Sequence, residues 1–204
     1  MAQLPDHQAV NQPPGNALLH HDTNMSTKEK PSSTAEHRAQ APRSVKCFVL
    51  TVSDTRTQEN DRGGALIQEL LRAASHQVVG YCIVRDEVNA ITEAVNDAIS
   101  SIGDPEVVIV TGGSGLGARD VSPEALRPLL TKEMPGFGEV FRVLSWNEVG
   151  AATMLSRAFA GVVGRTLLFV LPGSTNAVRL AMEKLIVPEL GHLVREVRPE
   201  RREG

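Results

Sequence analysis

Val107–Leu126, VVIVTGGSGLGARDVSPEAL, is the stretch on which the reading of the chain turns. Val107–Val110 is a short run of β-branched residues, the mark of a strand buried on both faces. It runs straight into Thr111-Gly112-Gly113-Ser114-Gly115-Leu116-Gly117, with four glycines in six positions. Glycine at that density costs chain entropy, so it marks backbone that turns sharply or approaches a ligand closely. Ser122-Pro123-Glu124 then reads as a helix start: a hydroxyl N-cap, proline at the first helical position, and an acid near the positive end of the dipole. Successive backbone N–H groups in such a loop form a nest for a phosphate or carboxylate. The carboxyl edge of an open α/β sheet is also where ligands bind. The plain alternative is a tight connection between a strand and a helix.

Working outward, Val45–Val52 (VKCFVLTV) and Val78–Val84 (VVGYCIV) read as further buried strands. Between them Leu66, Ile67, Leu70, Leu71 and Ala74 recur at helical spacing. After the second strand, Val88, Ile91, Val95, Ile99 and Ile102 form an amphipathic stripe that Gly103-Asp104-Pro105 stops. Downstream, Leu126, Leu129 and Leu130 make an apolar side, and Pro135–Val149 predicts a helix facing inward with Phe137, Val140, Phe141 and Leu144. Ala158–Val163 and Thr166–Leu171 predict a hairpin around Gly164-Arg165. A last helix runs from Thr175 to Pro188 or beyond, with Val178, Met182 and Leu185 inward. The opening order β-α-β-α-β predicts a single α/β domain with a parallel sheet and helices on both faces.

Composition narrows the function classes. The 204 residues include 21 Lys plus Arg against 24 Asp plus Glu, a net charge of −3 with no basic block. That lacks the footprint of a nucleic-acid binder. The apolar runs fall far short of the roughly 18 residues that span a bilayer, and none follows a charged N-terminus. A cytoplasmic protein is expected, without nucleic-acid or membrane partners. Cys47 and Cys82 form no CxxC pair and read as small buried hydrophobes, and no zinc-ligand spacing is present. Residues 1–43 hold no aromatic residue, five of the 12 prolines and four of the six histidines. They are expected to form a disordered tail, in which His20-His21 reads as inert, ahead of a folded unit at 44–200.

Standard nucleotide motifs fail. Gly112 and Gly117 stand at P-loop spacing, but Ala118-Arg119 replaces the lysine and hydroxyl. Gly113, Gly115 and Ala118 match G-x-G-x-x-A, yet the helix begins late and no second strand ending in an acid follows. Without a G-x-S-x-G elbow, Ser114 carries no hydrolase argument. Asp86 and Asp120 each follow a predicted strand, which puts both at one sheet edge. Such a pair beside a phosphate cradle suits Mg²⁺, and each is equally a candidate helix N-cap. Arg119 reads either as a partner of Asp120 or as a phosphate ligand. Ser53-Asp54 and Pro172-Gly173-Ser174 occupy comparable turns, Ser174 as a cap.

Several motifs stand in order over Ser44 to Leu190. They are Leu50–Thr55 (LTVSDT), Thr111–Pro123 (TGGSGLGARDVSP), Pro135–Arg142 (PGFGEVFR), Ser156-Arg157 and Leu171–Thr175 (LPGST). Together they resemble the MoaB/Mog family of molybdenum cofactor biosynthesis, and the third points to its MoaB branch. The resemblance implies a three-layer α/β/α sandwich with a mostly parallel sheet, assembled as a homotrimer or homohexamer. It also implies molybdopterin adenylyltransferase activity, in which Mg-ATP and molybdopterin give adenylyl-molybdopterin and pyrophosphate. A downstream molybdate-insertion protein is the implied partner. Carried across, Thr111, Gly112, Gly113, Ser114 and Gly115 hold the terminal phosphate of the pterin, and Asp86 and Asp120 are the catalytic and Mg²⁺-binding acids. Ser53, Ser145, Ser156, Arg157, Pro172 and Gly173 line the pocket. Ser114 and Gly117 each stand where the family more often has threonine. A non-catalytic pterin-binding scaffold or paralogue is the competing class, and the phosphohydrolase-like domain of competence-damage proteins a more distant one. The seven aromatic residues fall mostly on core stripes, so no aromatic platform is expected for the pterin.

Overall fold

The computed structural model describes residues 40–101 and 103–201. Six strands form one sheet: β1 (Lys46–Val52), β2 (Gln77–Val84), β3 (Val107–Thr111), β4 (Lys132–Glu133), β5 (Phe159–Val163) and β6 (Thr166–Leu171). Their spatial order is β2-β1-β3-β6-β5-β4. β1, β2, β3 and β6 run parallel, and β5 pairs antiparallel with both β6 and β4. The expected hairpin is the β5–β6 unit, and Gly164 at its turn has φ +60°, a conformation that suits glycine.

The helices are α1 (Arg62–Ala73), α2 (Val88–Ser100), α3 (Ser122–Leu126), α4 (Pro135–Val149), α5 (Thr175–Ala181) and α6 (Val187–Val197). A single π-turn at Met182–Ile186 joins α5 to α6, so the last helical stretch continues well beyond Pro188. Ser174 caps α5 as expected, its Oγ accepting the Ala177 N–H.

The apolar strands work because alternate residues serve opposite layers. Cys47, Val49, Val107, Ile109, Leu167 and Phe169 pack with Ile67, Phe141, Val178 and Leu190 on one face. Leu50, Val52, Val108, Val110, Leu168 and Val170 pack with Ile91, Val95 and Leu126 on the other. Both faces are therefore dry, and the three-layer sandwich with its mostly parallel sheet stands as the sequence implied. Cys47 is buried, Cys82 is half-buried, and both are free thiols. No helix among the described residues is long and apolar enough to cross a membrane.

Residues 1–39 of the expected tail, and Ile102 of the α2 stripe, lie outside the described residues. Residues 40–43, assigned to the tail from composition, instead lie against α6. Pro42 is buried there, its carbonyl 2.5 Å from where a Cβ on Gly191 would stand, and Gln40 Oε1 accepts from Arg195 Nη2 at 3.0 Å. An apolar proline facing a helical glycine is a local packing match that an average over 43 residues hides.

Candidate functional site

The parallel strands deliver their carboxyl ends to one cleft of about 590 Å³. It is lined by Ser53–Arg56 after β1, Asp86 after β2, Gly112–Gly115 with Arg119 and Asp120 after β3, and Pro172-Gly173 after β6. Leu155 and Ser156 close it from the 3-10 turn Gly150–Leu155 and the residue after it.

The glycine loop is shaped by two left-handed residues, Gly112 at φ +101° and Gly113 at φ +60°. A Cβ on Gly112 would collide with the Val52 carbonyl, and one on Gly113 would stand 2.7 Å from both carboxylate oxygens of Asp86. The glycines thus supply the turn and the room for an acid to lie against the loop. Ser122 fastens the loop from behind, its Oγ donating to Gly112 O at 2.9 Å and its N–H to Gly113 O at 2.8 Å. This corrects the reading of Ser122 as an N-cap. Val121 is the capping residue, Ser122 is the first helical one, and its hydroxyl serves the loop instead of the helix.

Asp86 and Asp120 flank that loop. Asp86 Oδ1 accepts the Val121 N–H at 3.0 Å, which ties the β2 edge to the start of α3. Asp120 Oδ2 accepts the Gly117 N–H at 2.8 Å. Neither carboxylate caps a helix: α2 begins after Glu87 with no side-chain cap, and α3 has none. Burial pushes the Asp86 pKa up, and the neighbouring charges of Asp120 and Asp54 push the same way. The Val121 N–H and Arg119 oppose them. Arg119 pairs with Asp54 at 2.8 Å instead of with Asp120, and it lines the cleft.

The remaining residues named from sequence divide. Ser53, Ser114, Ser156, Pro172 and Gly173 line the cleft with Gly112, Gly113 and Gly115. The Ser53 hydroxyl accepts the Thr55 and Arg56 N–H groups and so shapes its own turn. Thr111 is fully buried behind the cleft, donating to Pro172 O at 3.0 Å. Arg157 lies behind the loop, donating through Nε to Ser114 O and through Nη2 to Asp120 O. Ser145 is buried and donates to Phe141 O, and it lines a second cavity of about 240 Å³.

That second cavity shares Leu155, Ser156 and Pro172 with the first and is walled by Phe141, Val149, Ala152 and Leu180. Thr153 Oγ1 is buried at this wall with no hydrogen-bond partner. Phe141 borders this cavity from its helix stripe, but it is 1% exposed and packed in the core, so it presents no open ring face there. Arg56, Glu148 and Leu155 were not singled out from sequence. The position of Arg56 in the turn after β1 is the one signal that marks it. Leu155 and Glu148 arrive through tertiary folding alone.

A mostly parallel sheet whose carboxyl edge carries a glycine loop between two acids is the arrangement in which α/β proteins bind anions. The model of the family described as a probable molybdopterin binding domain matches residues 48–192. The molybdenum cofactor biosynthesis protein B of Halalkalibacterium halodurans is 49% identical over 170 residues, 83% of this chain and 99% of that protein. Its counterpart in Staphylococcus carnosus is 52% identical over 158 residues, 76% of this chain and 92% of that protein. Among solved structures, a molybdenum cofactor biosynthesis protein B superposes with a TM-score of 0.75 at 49% identity, covering 78% of this chain and 99% of the other. The tungsten cofactor synthesizing protein MoaB from Pyrococcus furiosus does so at 0.71 and 40%, with coverage of 78% and 99%. The chain belongs to the MoaB/Mog family of molybdenum cofactor biosynthesis proteins.

Proposed function

We propose that the chain works in molybdenum cofactor biosynthesis as a molybdopterin adenylyltransferase, joining AMP from Mg-ATP to molybdopterin and releasing pyrophosphate. The observation that carries this reading is the placement of Asp86 and Asp120 on either side of the Gly112–Gly115 backbone in one cleft. In the reaction a phosphate oxygen of molybdopterin attacks the α-phosphorus of ATP, and the bond to the β-phosphate breaks. No covalent protein nucleophile is needed. The chain's task is to hold two phosphate groups in line and to stabilise charge as it moves to the leaving group.

The glycine loop supports phosphate binding through the backbone N–H groups of Gly113, Ser114 and Gly115, since those of Gly112 and Gly117 donate to Leu171 O and Asp120 Oδ2. The adjoining apolar cavity supports the pterin, and at its wall the Thr153 hydroxyl lacks a partner that a ring heteroatom would supply. Asp86 and Asp120 are the residues that would hold Mg²⁺. Among the described residues no cluster of three or more His, Cys, Asp or Glu forms a metal site of its own. A carboxylate pair completed by substrate phosphates is the usual Mg²⁺ arrangement. The crowding of Asp54, Asp120 and Asp86 fits it, since a divalent cation relieves their repulsion. When bound, the metal offsets the negative charge of the reacting phosphates.

A cytosolic homo-oligomer, trimer or hexamer, acting ahead of a molybdate-insertion protein completes the reading. The test is pyrophosphate release from Mg-ATP on addition of purified molybdopterin. Release that falls about a hundredfold or more in Asp86→Asn and Asp120→Asn is the expected outcome. Tight molybdopterin binding without any pyrophosphate would make the chain a pterin-binding scaffold instead.

A further inference from the structure

We propose that Arg56 is a phosphate-binding residue of the cleft and that buried Asp61 positions it. The assignment builds on the proposed reading of the cleft as a phosphate-transfer site and adds a side chain to it.

Asp61 precedes α1 and caps it, its Oδ1 accepting the Gly64 N–H at 3.1 Å. Capping needs one oxygen and no charge. Asp61 carries far more. It is 2% exposed, and its Oδ2 accepts from Thr51 Oγ1 at 2.6 Å and from Tyr81 OH at 2.7 Å. Its Oδ1 also accepts from Arg56 Nη1 at 3.2 Å. A buried carboxylate kept ionised by two hydroxyls, an amide and a guanidinium is a fixed anchor, costly to build for a helix cap alone.

What it anchors faces the cleft. Arg56 lines the cleft wall, and its other terminal nitrogen donates to Gly173 O at 2.9 Å. The guanidinium so bridges the turn after β1 and the turn after β6. Gly63 leaves room for it, since a Cβ there would stand 3.3 Å from Nη1. These contacts take two of the five N–H donors, and the planar fork is the group best matched to phosphate oxygens. Arg119, the other cleft guanidinium, is 69% exposed and paired with Asp54, whereas the Arg56 side chain is 30% exposed and held from two sides. A cation fixed before the ligand arrives loses less freedom on binding.

The sign of one substitution separates positioning from bulk charge. Asp61→Asn removes a negative charge near the cleft, so charge alone predicts tighter anion binding. Loss of the anchor predicts weaker binding. The probes are inorganic pyrophosphate, which reports the nucleotide end, and molybdopterin, which reports the pterin phosphate. Affinities come from calorimetric titration of the full chain, with circular dichroism confirming that each variant is folded. Arg56→Ala is expected to weaken one of the two probes about tenfold or more, and Arg56→Lys to recover only part. Asp61→Asn is expected to weaken the same probe, and to add nothing in the Arg56→Ala background. Arg56→Ala with both affinities within about twofold of wild type, Asp61→Asn with unchanged or tighter binding, or a wild-type chain that binds neither probe overturns the assignment. Wild-type pyrophosphate release is measured alongside. Its absence with Arg56-dependent binding sinks the adenylyltransferase reading alone, and its presence with Arg56-independent binding sinks the clamp alone.

Discussion

Arg157 Nε donates to the carbonyl oxygen of Ser114 at 3.2 Å, while its Nη2 donates to that of Asp120 at 2.7 Å. One guanidinium ahead of β5 thus holds the glycine loop at two points, and Nη1 pairs with Glu124 on α3. The fork geometry explains why arginine serves here, since a lysine ammonium cannot reach diverging acceptors with one rigid plane. Arg157→Ala is expected to lose about 1–3 kcal/mol of stability, the cost of leaving polar groups unpaired. It should also reduce the proposed adenylyl transfer more than that loss of folded protein accounts for. Arg157→Lys should resemble it. Thermal unfolding read beside initial rates checks both, and a variant that keeps full rate would show that the loop needs no such support.

Gly112 and Gly113 separate fold from chemistry. Both have positive φ, so an alanine at either costs about 1–3 kcal/mol of backbone strain. Their surroundings differ. A methyl at Gly112 strikes the Val52 carbonyl of the β1 end, whereas one at Gly113 strikes Ser122 Oγ and crowds the Asp86 carboxylate. Gly112→Ala is expected mainly to lower the unfolding temperature. Gly113→Ala should displace Asp86 and depress activity well beyond its effect on stability. Equal ratios of rate loss to stability loss in the two variants would contradict the placement of Asp86 against the loop.

The strands were legible because their residues are apolar on both faces, and only a sheet covered twice calls for Val107–Val110 or Thr166–Leu171. The glycine loop was legible for a related reason, since a sharp turn or a close backbone approach is what such a composition serves. The roles of single polar residues were not. Ser122 has the local pattern of an N-cap, and its hydroxyl instead reaches Gly112, ten positions back in the chain. Arg157 follows the family pattern of a pocket residue yet works from behind the loop. Arg56 and Asp61 make sense only once Thr51, Tyr81 and Gly173 converge on them, and no spacing in the chain encodes that convergence.

Stability should fall with acid in two stages. Burial lowers the His76 pKa below its usual 6.5 against the opposing pull of Glu106, and its Nδ1 accepts the Val45 N–H at 3.3 Å. A depressed folded-state pKa means that the unfolded chain takes the proton more readily. The His76 contribution is therefore present above pH 6.5 and is lost as pH falls through the folded value. The second stage lies lower. For Asp61, burial raises the pKa, but the bonds from Thr51, Tyr81 and Gly64 and the charge of Arg56 together bring it below 3.8. For Asp104 the hydrogen bonds from Arg198 lower it, against a smaller opposing effect of burial. These contributions stand above pH 3.8 and disappear as pH falls below it. Melting temperatures across pH should show a mild decline beginning near pH 6.5 and a steeper one in the range below 3.8. His76→Asn should abolish the first and Asp104→Asn soften the second. A profile without the first step would remove His76 from this account.

The outer surface of α4 carries Val140, which the periodicity placed inward, with Val143, Trp146 and Val149, followed by Met154 and Leu155 on the next turn. Val143 is 67% exposed, Trp146 61% and Met154 78%, although each is large and apolar. Scattered single residues of this kind need no explanation, but a contiguous set along one helix and its continuation marks a contact surface. A second copy of this chain is the occupant the proposed homo-oligomer requires. The surface ends at Leu155, which also lines the cleft, so assembly would complete the wall of the site. Light scattering at micromolar concentration should give a mass near a multiple of 22.0 kDa, with three or six chains expected. The single tryptophan supplies a second readout, because burying Trp146 in an interface shifts its emission to shorter wavelength. Val143→Glu combined with Trp146→Glu should release monomers and lower the rate of the proposed adenylyl transfer without unfolding the sandwich, since both side chains are mostly exposed. A wild-type mass of 22.0 kDa at concentrations where the enzyme is active would remove the interface, and the proposed oligomer with it.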